Sequence, residues 1–253
     1  MRYGSMHDHD GYAIGVNVGV NMPGMYYMNN EALQRLPQNT YVTPRAGLFL
    51  EIPLGGFMAL SPEVAYVERG TDMNYEHFSG SQVHYSLKAS YADFRLPLEL
   101  RWPIASYFQP YLVAGAEGGM RLFGNIHIDR TGLIALDTTI LVGDANLAMF
   151  HVGAFVGVGI RSRLELGKTS IVVKLSASYH EGLVDSYSPK EKEGGAVSVN
   201  VNAYQITGFR FPKGMEFCVG IAIPLERRID NACSNFENSG YHRRQSKGRI
   251  LGN

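Results

Sequence analysis

The side chains capable of chemistry fall into four groups, and the largest is a set of charges. Glu51, Glu63, Arg69, Asp93, Arg95, Glu99, Arg101, Glu117, Arg121, Arg161, Arg163, Glu165, Lys174 and Glu216 sit within apolar stretches, mostly at alternate positions. In an extended strand that spacing puts them on one face. Both signs occur in similar number, so the chemistry implied is mutual ion pairing, with an ion path as the alternative. The second group is His151 and His180, with Ser176 and Ser178 nearby. These are the residue types of Ser/His acyl hydrolysis, but no nucleophile elbow or fixed spacing accompanies them. The third is His7-Asp8-His9-Asp10, alternating donors for a divalent metal on a terminal segment, which reads as incidental. The fourth is Cys218 and Cys233, which give neither a disulfide framework nor metal spacing. Cys218 is expected on a strand's inner face and Cys233 in a tail. The expectation is a chain without catalytic residues, metal or cofactor, and so not an enzyme.

Eight alternating segments must position these charges. The first, GYAIGVNVGVNM (11–22), sets Tyr12, Ile14, Val16, Val18, Val20 and Met22 against glycine, alanine and asparagine. The fourth is the sharpest: Phe94, Leu96, Leu98, Leu100 and Trp102 alternate with Asp93, Arg95, Pro97, Glu99 and Arg101. The others run near 47–54, 58–67, 112–122, 152–166, 171–180 and 215–226. Period two alone gives only a two-faced strand. The recurrence of charge opposite the wide apolar face describes a wall with lipid outside and a polar interior. Connections sort the same way. Those near 23–43, 76–83, 124–147 and 185–213 are mostly long, whereas 55–56, 103–108 and 167–168 are short. An even strand count with short turns at one end and long loops at the other is the pattern of an outer-membrane barrel. Both termini then fall on the short-turn side.

The fold expected is all-β: a closed, antiparallel, up-and-down transmembrane β-barrel of eight strands. Ten remain possible, because 197–211 alternates partly, and Leu133–Val142 is apolar enough for an extra hairpin. A flexible segment (1–10) precedes the barrel (11–226), and a polar, basic periplasmic tail (227–253) follows it. Pro53 and Pro224 fall near strand ends, whereas Pro62 and Pro97 should mark bulges or unpaired positions. Tyr12, Phe57, Trp102, Tyr107 and Phe108 at one level, and Tyr66, Tyr75, Tyr91, Phe123 and Phe150 at the other, are expected as the two interfacial girdles.

Composition agrees. Of 253 residues only 18% are charged, and 29 Gly with 15 Tyr suit twisted strands and interfacial rings better than a helical bundle. Net charge is zero, so nothing draws the chain toward nucleic acid. No uninterrupted apolar run approaches the roughly 18 residues of a transmembrane helix. The opening MRYGSMHDHDG has no apolar signal-peptide core, so a mature or recombinant start is expected.

The stretches GVNVGVNMPGM, AGLFLEIPLGGFMALSPEVAYVERG, YADFRLPLELRW followed by PYLVAGAEGG, and FCVGIAIPL together resemble the PorT-like small outer-membrane β-barrels ("porin family") of Bacteroidetes. The resemblance spans about residues 11–225. It implies an eight-stranded barrel in the outer membrane of a Gram-negative bacterium, in a family of which some members serve secretion or assembly machinery. It carries no catalytic motif. Many outer-membrane barrels finish on an aromatic strand residue, whereas here a polar tail follows Leu225.

Two segments offer contact chemistry beyond the lipid. Arg227 and Arg228 follow the last strand, and HRRQSKGR adds Arg243, Arg244, Lys247 and Arg249. Such a run is ordinarily a solvated tail, with docking on an envelope protein as the functional alternative. In the loop after the first strand, Met25, Tyr26, Tyr27 and Met28 form an apolar cluster suited to a partner or to headgroups, and Asn30 is placed to cap a short helix over 31–36. The expected role is a structural or accessory subunit of an envelope complex. A narrow solute channel, a lipid-modifying enzyme and a soluble ligand-binding barrel are the competing classes.

Overall fold

Alternation forces these segments into strands, and the strands close on themselves. The computed structural model describes residues 11–28, 38–76, 80–102, 104–105, 108–132, 136–141, 148–166, 169–184 and 209–225. Its strands are β1 (Ala13–Met28), β2 (Thr43–Gly55), β3 (Met58–Leu60), β4 (Glu63–Glu76), β5 (Gln82–Arg101), β6 (Gln109–Thr131), β7 (Leu136–Leu141), β8 (Phe150–Leu166), β9 (Thr169–Gly182) and β10 (Phe209–Pro224). Neighbours run antiparallel in the order β5-β4-β2-β1-β10-β9-β8-β6, and β6 pairs back onto β5. That is a ring of eight. The seam joins first strand to last from Ala13↔Pro224 through Met28↔Phe209 without a register shift.

The two further strands do not enlarge the ring. β3 is the short-turn end of the third wall strand, separated from β4 by Ser61-Pro62, and it pairs with β2 and β5. β7 continues the β6 hairpin beyond the wall, with Asn125↔Leu141 through Arg130↔Leu136 paired. Of the partly alternating stretch 197–211, only 209–211 are described, and they open β10.

The Ser61-Pro62 interruption accommodates two prolines in a wall that has no free edge. Ser61 N donates to Pro97 O (2.9 Å), so the side of Pro97 that lacks a donor faces the break. Leu50 N donates to Pro62 O (3.0 Å), which ties the break to β2. The first short turn lies one residue later than expected: Gly56 and Phe57 form it, with a register shift between Pro53 and Gly55. A second irregularity, between Ser90 and Tyr91, leaves Leu122 extra on β6. Phe123 and Leu122 are therefore both exposed, and the inward face of β6 changes parity above this point.

Within the membrane wall, apolar residues face out. Val16, Val18, Leu48, Val64, Phe94, Leu98, Val156 and Ile221 are all exposed. Tyr12, Phe57, Trp102 and Phe108 ring the short-turn end, and Tyr66, Phe123, Phe150 and Tyr179 the long-loop end, all exposed or nearly so. Tyr75 and Tyr91 correct the expected girdle. Both are odd-numbered residues in phase with the lumenal charges of β4 and β5, and both are buried inside. Tyr107 lies outside the described residues.

Above the wall, β4, β5 and β6 continue with β7 as a four-stranded sheet whose polarity is inverted. Met73, Val83, Tyr85, Leu87, Ile126 and Ile128 point inward and are buried. The opposite face carries Asp72, His84, Lys88, His127 and Asp129. Gly70 marks the change on β4. Its φ of +151° and its contact with the Leu87 carbonyl exclude a side chain. Gln38 clamps this sheet to β1: its side chain bonds Met25 N (3.0 Å) and Met25 O (2.5 Å), while its backbone bridges to Met73.

Candidate functional site

An eight-stranded barrel is just wide enough to be filled by its own side chains, and here charged ones fill it in two layers. The layer nearer the short turns joins β2, β5, β8 and β9. Arg101 reaches Glu51 (3.0 Å) and Glu99 (2.6 Å), and Arg161 reaches Glu51 (2.9 Å). Lys174 lies 3.4 Å from Glu51 and pairs more closely with Glu99. Ser61 Oγ donates to Glu99 (2.8 Å) and Arg161 to Gln109 (2.8 Å). In this layer three cations face two carboxylates.

The layer nearer the long loops joins β1, β2, β4, β5, β6, β8, β9 and β10. Arg95 holds Glu216 through two bonds (2.5 and 2.7 Å) and Glu117 at 2.6 Å. Arg45 spans Glu63 and Glu216, the latter at 3.2 Å. Arg69 pairs with Asp93 (2.5 Å) and Glu117 (3.0 Å). His151 Nε2 donates to Asp93 (2.7 Å), and Tyr91 meets the His151 ring edge-on at 5.0 Å. Arg69 donates to His180 Nδ1 (2.5 Å), whose Nε2 lies 3.4 Å from Asn21 Oδ1. Here three guanidiniums face four carboxylates. The surplus charge of one layer cancels that of the other.

Between the layers lies a cavity of about 70 Å³, bounded by Arg45, Glu63, Arg95 and Glu216 on one side and by Glu99 and Lys174 on the other. Aromatic rings brace the cations at its wall. Lys174 Nζ is 5.2 Å from the Phe49 centroid and 5.3 Å from that of Tyr111, and Arg95 is 5.1 Å from Phe155. Cys218, the free cysteine among the described residues, faces this cavity and accepts from Arg45 Nη1 (3.4 Å).

The charges named from the sequence divide between these layers and the rims. Glu51, Glu63, Arg69, Asp93, Arg95, Glu99, Arg101, Glu117, Arg161, Lys174 and Glu216 are all buried. Arg121 is half-buried at the long-loop rim and donates to the Ala148 carbonyl (3.4 Å). Arg163, also half-buried, donates to Ser170 at the short-turn rim (3.0 Å). Glu165 is a correction: it is exposed, because β8 there has passed the layer of Arg161 and faces open solvent beside Leu164 and Leu166.

Arg45 belongs to the network and escaped the sequence reading. Thr43, Arg45, Gly47, Phe49 and Glu51 share one phase, but Pro44 and Ala46 opposite them are too weakly apolar to mark a two-faced strand before Gly47. His151 and His180 turn out to be hydrogen-bonded lumenal histidines. Ser176 lines the cavity on a different strand from His151, and no described contact joins the two. Among the described residues no cluster of three His, Cys, Asp or Glu is placed to hold a metal ion. Outside the membrane wall, burial raises the Tyr41 hydroxyl pKa above its usual value, and Glu68 and Asp72 add to the shift.

The apolar cluster expected in a loop is a correction: Met25, Tyr26, Tyr27 and Met28 end β1, where Met25 is buried and Tyr26 exposed, with Lys213 Nζ 5.9 Å from the Tyr26 ring centre. Tyr27 pairs with Arg210 through the backbone. Arg227, Arg228, Arg243, Arg244, Lys247 and Arg249 lie outside the described residues, as do His7–Asp10, Cys233 and the short helix expected over 31–36.

A lipid-facing apolar wall around a charged, filled lumen defines a membrane-spanning β-barrel. Residues 8–188 match the family described as outer membrane protein beta-barrel domain, and the chain belongs to that family. Solved structures similar to it include Neisserial surface protein A (12% identity, TM-score 0.37, covering 85% of this chain and 96% of that one). OprG from Pseudomonas aeruginosa is similar at 8% identity and TM-score 0.37, covering 88% and 99%. Ail of Yersinia pestis is similar at 10% identity and TM-score 0.33, covering 85% and 98%. No curated protein matches the chain.

Proposed function

We propose that this barrel is a non-enzymatic, non-conducting structural or accessory subunit of an envelope complex, of the PorT-like kind that its sequence resembles. The observation behind the non-conducting part is the filled lumen: two buried ion-pair layers with about 70 Å³ between them. The subunit role draws on the resemblance and on the contact chemistry of Tyr26, Tyr27 and the basic tail. Tyr12 and Leu225 lie together at the short-turn end, where Leu225 N donates to Tyr12 O (2.6 Å). By the usual sidedness of such barrels this end faces the periplasm, which supports a periplasmic reading for both termini and the tail. Planar-bilayer recording of the purified protein tests the first part: no steady conductance is expected, and a reproducible nanosiemens pore contradicts it in favour of a channel. Gentle detergent extraction tests the second, since a subunit brings defined envelope proteins with it and a solitary barrel does not. Truncation after Arg228 should reduce that set, and an unchanged set removes the tail from the interface.

A further inference from the structure

We infer that the two charged layers are separate barriers in series, enclosing a sealed, hydrated chamber for which Cys218 is a built-in reporter. The inference rests on the non-conducting reading above and deepens it. A cavity of about 70 Å³ exceeds the minimum for one water several-fold, and the charged groups in its mixed lining supply the two to four partners each water needs. The Nε atom of Arg95 is buried without a hydrogen-bond partner among the described residues, as hydration of the chamber would explain.

Among the described residues no ion pair joins the two layers. The described ion pairs of Glu51, Glu99, Arg101 and Lys174 stay within one layer, and those of Arg45, Glu63, Arg69, Arg95, Glu117 and Glu216 stay within the other. One layer can therefore be dismantled while the other keeps its partners. Glu99→Ala with Lys174→Ala removes a matched pair and leaves Glu51 held by Arg101 and Arg161. Arg95→Ala with Glu216→Ala removes another, leaving Arg45 on Glu63 and Arg69 on Asp93 and Glu117. Taking out both partners avoids stranding a buried charge. All four residues border the chamber, so each double variant opens a way to Cys218 from one side only.

The experiment uses the full chain carrying Cys233→Ser, folded in lipid, with a small cationic methanethiosulfonate as the probe. Thiol modification follows access, so each double variant should label Cys218 about tenfold or more faster than the parent. Neither should conduct in a planar bilayer, because the second layer still closes the lumen. The heat-dependent gel shift of a folded barrel, checked on every variant, separates opening from failure to fold. A variant that fails to fold is replaced by Lys174→Met or Glu63→Gln, which thin one layer while keeping most of its volume. Parent labelling as fast as in the urea-unfolded chain overturns the sealed chamber. Unchanged labelling in folded variants of both layers overturns the barriers. Steady conductance from one double variant overturns their independence. A pore in the parent itself would instead defeat the non-conducting reading.

Discussion

The two halves of β5 share one period and an unbroken register with β4, and they differ in what each face meets. From Ala92 to Arg101 the inward positions are Asp93, Arg95, Pro97, Glu99 and Arg101, and the outward ones include Phe94, Leu96, Leu98 and Leu100. From Gln82 to Tyr91 the inward positions are Val83, Tyr85, Leu87, Ala89 and Tyr91, and the outward ones include Gln82, His84 and Lys88. The alternation never slips, yet its polarity reverses at Tyr91-Ala92. Neighbouring β4 reverses farther from the short turns, near Gly70, which pairs with Lys88, and β6 does so through its Leu122 bulge beside Ser90 and Tyr91. A soluble sheet buries its apolar face, and a barrel wall in lipid exposes it. The reversal therefore marks where the outer solvent changes from water to hydrocarbon, and it divides a charged, paired lumen from an apolar core standing beyond the membrane.

This contrast is open to direct attack. The largest effect is expected from Arg95→Ala in the lumen, which leaves Glu216 and Glu117 short of a partner and should cost about 3–5 kcal/mol of folding stability in lipid. In the upper core Ile128→Ala should cost about 2–5 kcal/mol by opening a cavity. A loss under about 1 kcal/mol there would mean the extramembrane sheet has no packed interior of its own. Identical substitutions on the outward face should then part company. Leu98→Arg, near the middle of the lipid-facing run, should cost about 2–4 kcal/mol. His84→Arg, on the same face above the boundary, should stay within about 0.5 kcal/mol. Equal costs would erase the distinction between the halves. Smallest of all, Glu165→Ala should also stay within about 0.5 kcal/mol, because that carboxylate is exposed at the strand end. Urea titration of the protein folded in vesicles reads all five.

The wall was legible in the sequence because its signal is strict. Val16, Leu98, Val156 and Ile221 belong to runs where charged, polar or small residues fill most of the alternate positions, and the eight strands follow. The upper halves of β4, β5 and β6 were harder to see for a physical reason. The rule "apolar outward", which fits Phe94–Leu100, assigns Tyr75 and Tyr91 to a girdle, whereas above the membrane the apolar side is the inner one. The β6 bulge hid a further parity change, since the extra Leu122 is invisible to a count of alternation. Which charges pair was not legible either. Arg95 and Glu216 are 121 positions apart, and only closure of the ring brings them to 2.5 Å.

Accessibility of nitroxide labels along the outward face of β5, in lipid bilayers, tests the membrane boundary most directly. Labels replace His84, Lys88, Leu96 and Leu98 one at a time in a protein carrying Cys218→Ser and Cys233→Ser. A water-soluble nickel chelate should relax the labels at 84 and 88, while oxygen dissolved in the hydrocarbon should relax those at 96 and 98. Collision of the chelate with the label at 98, or no change of solvent between 88 and 96, would contradict a wall whose greasy side faces lipid.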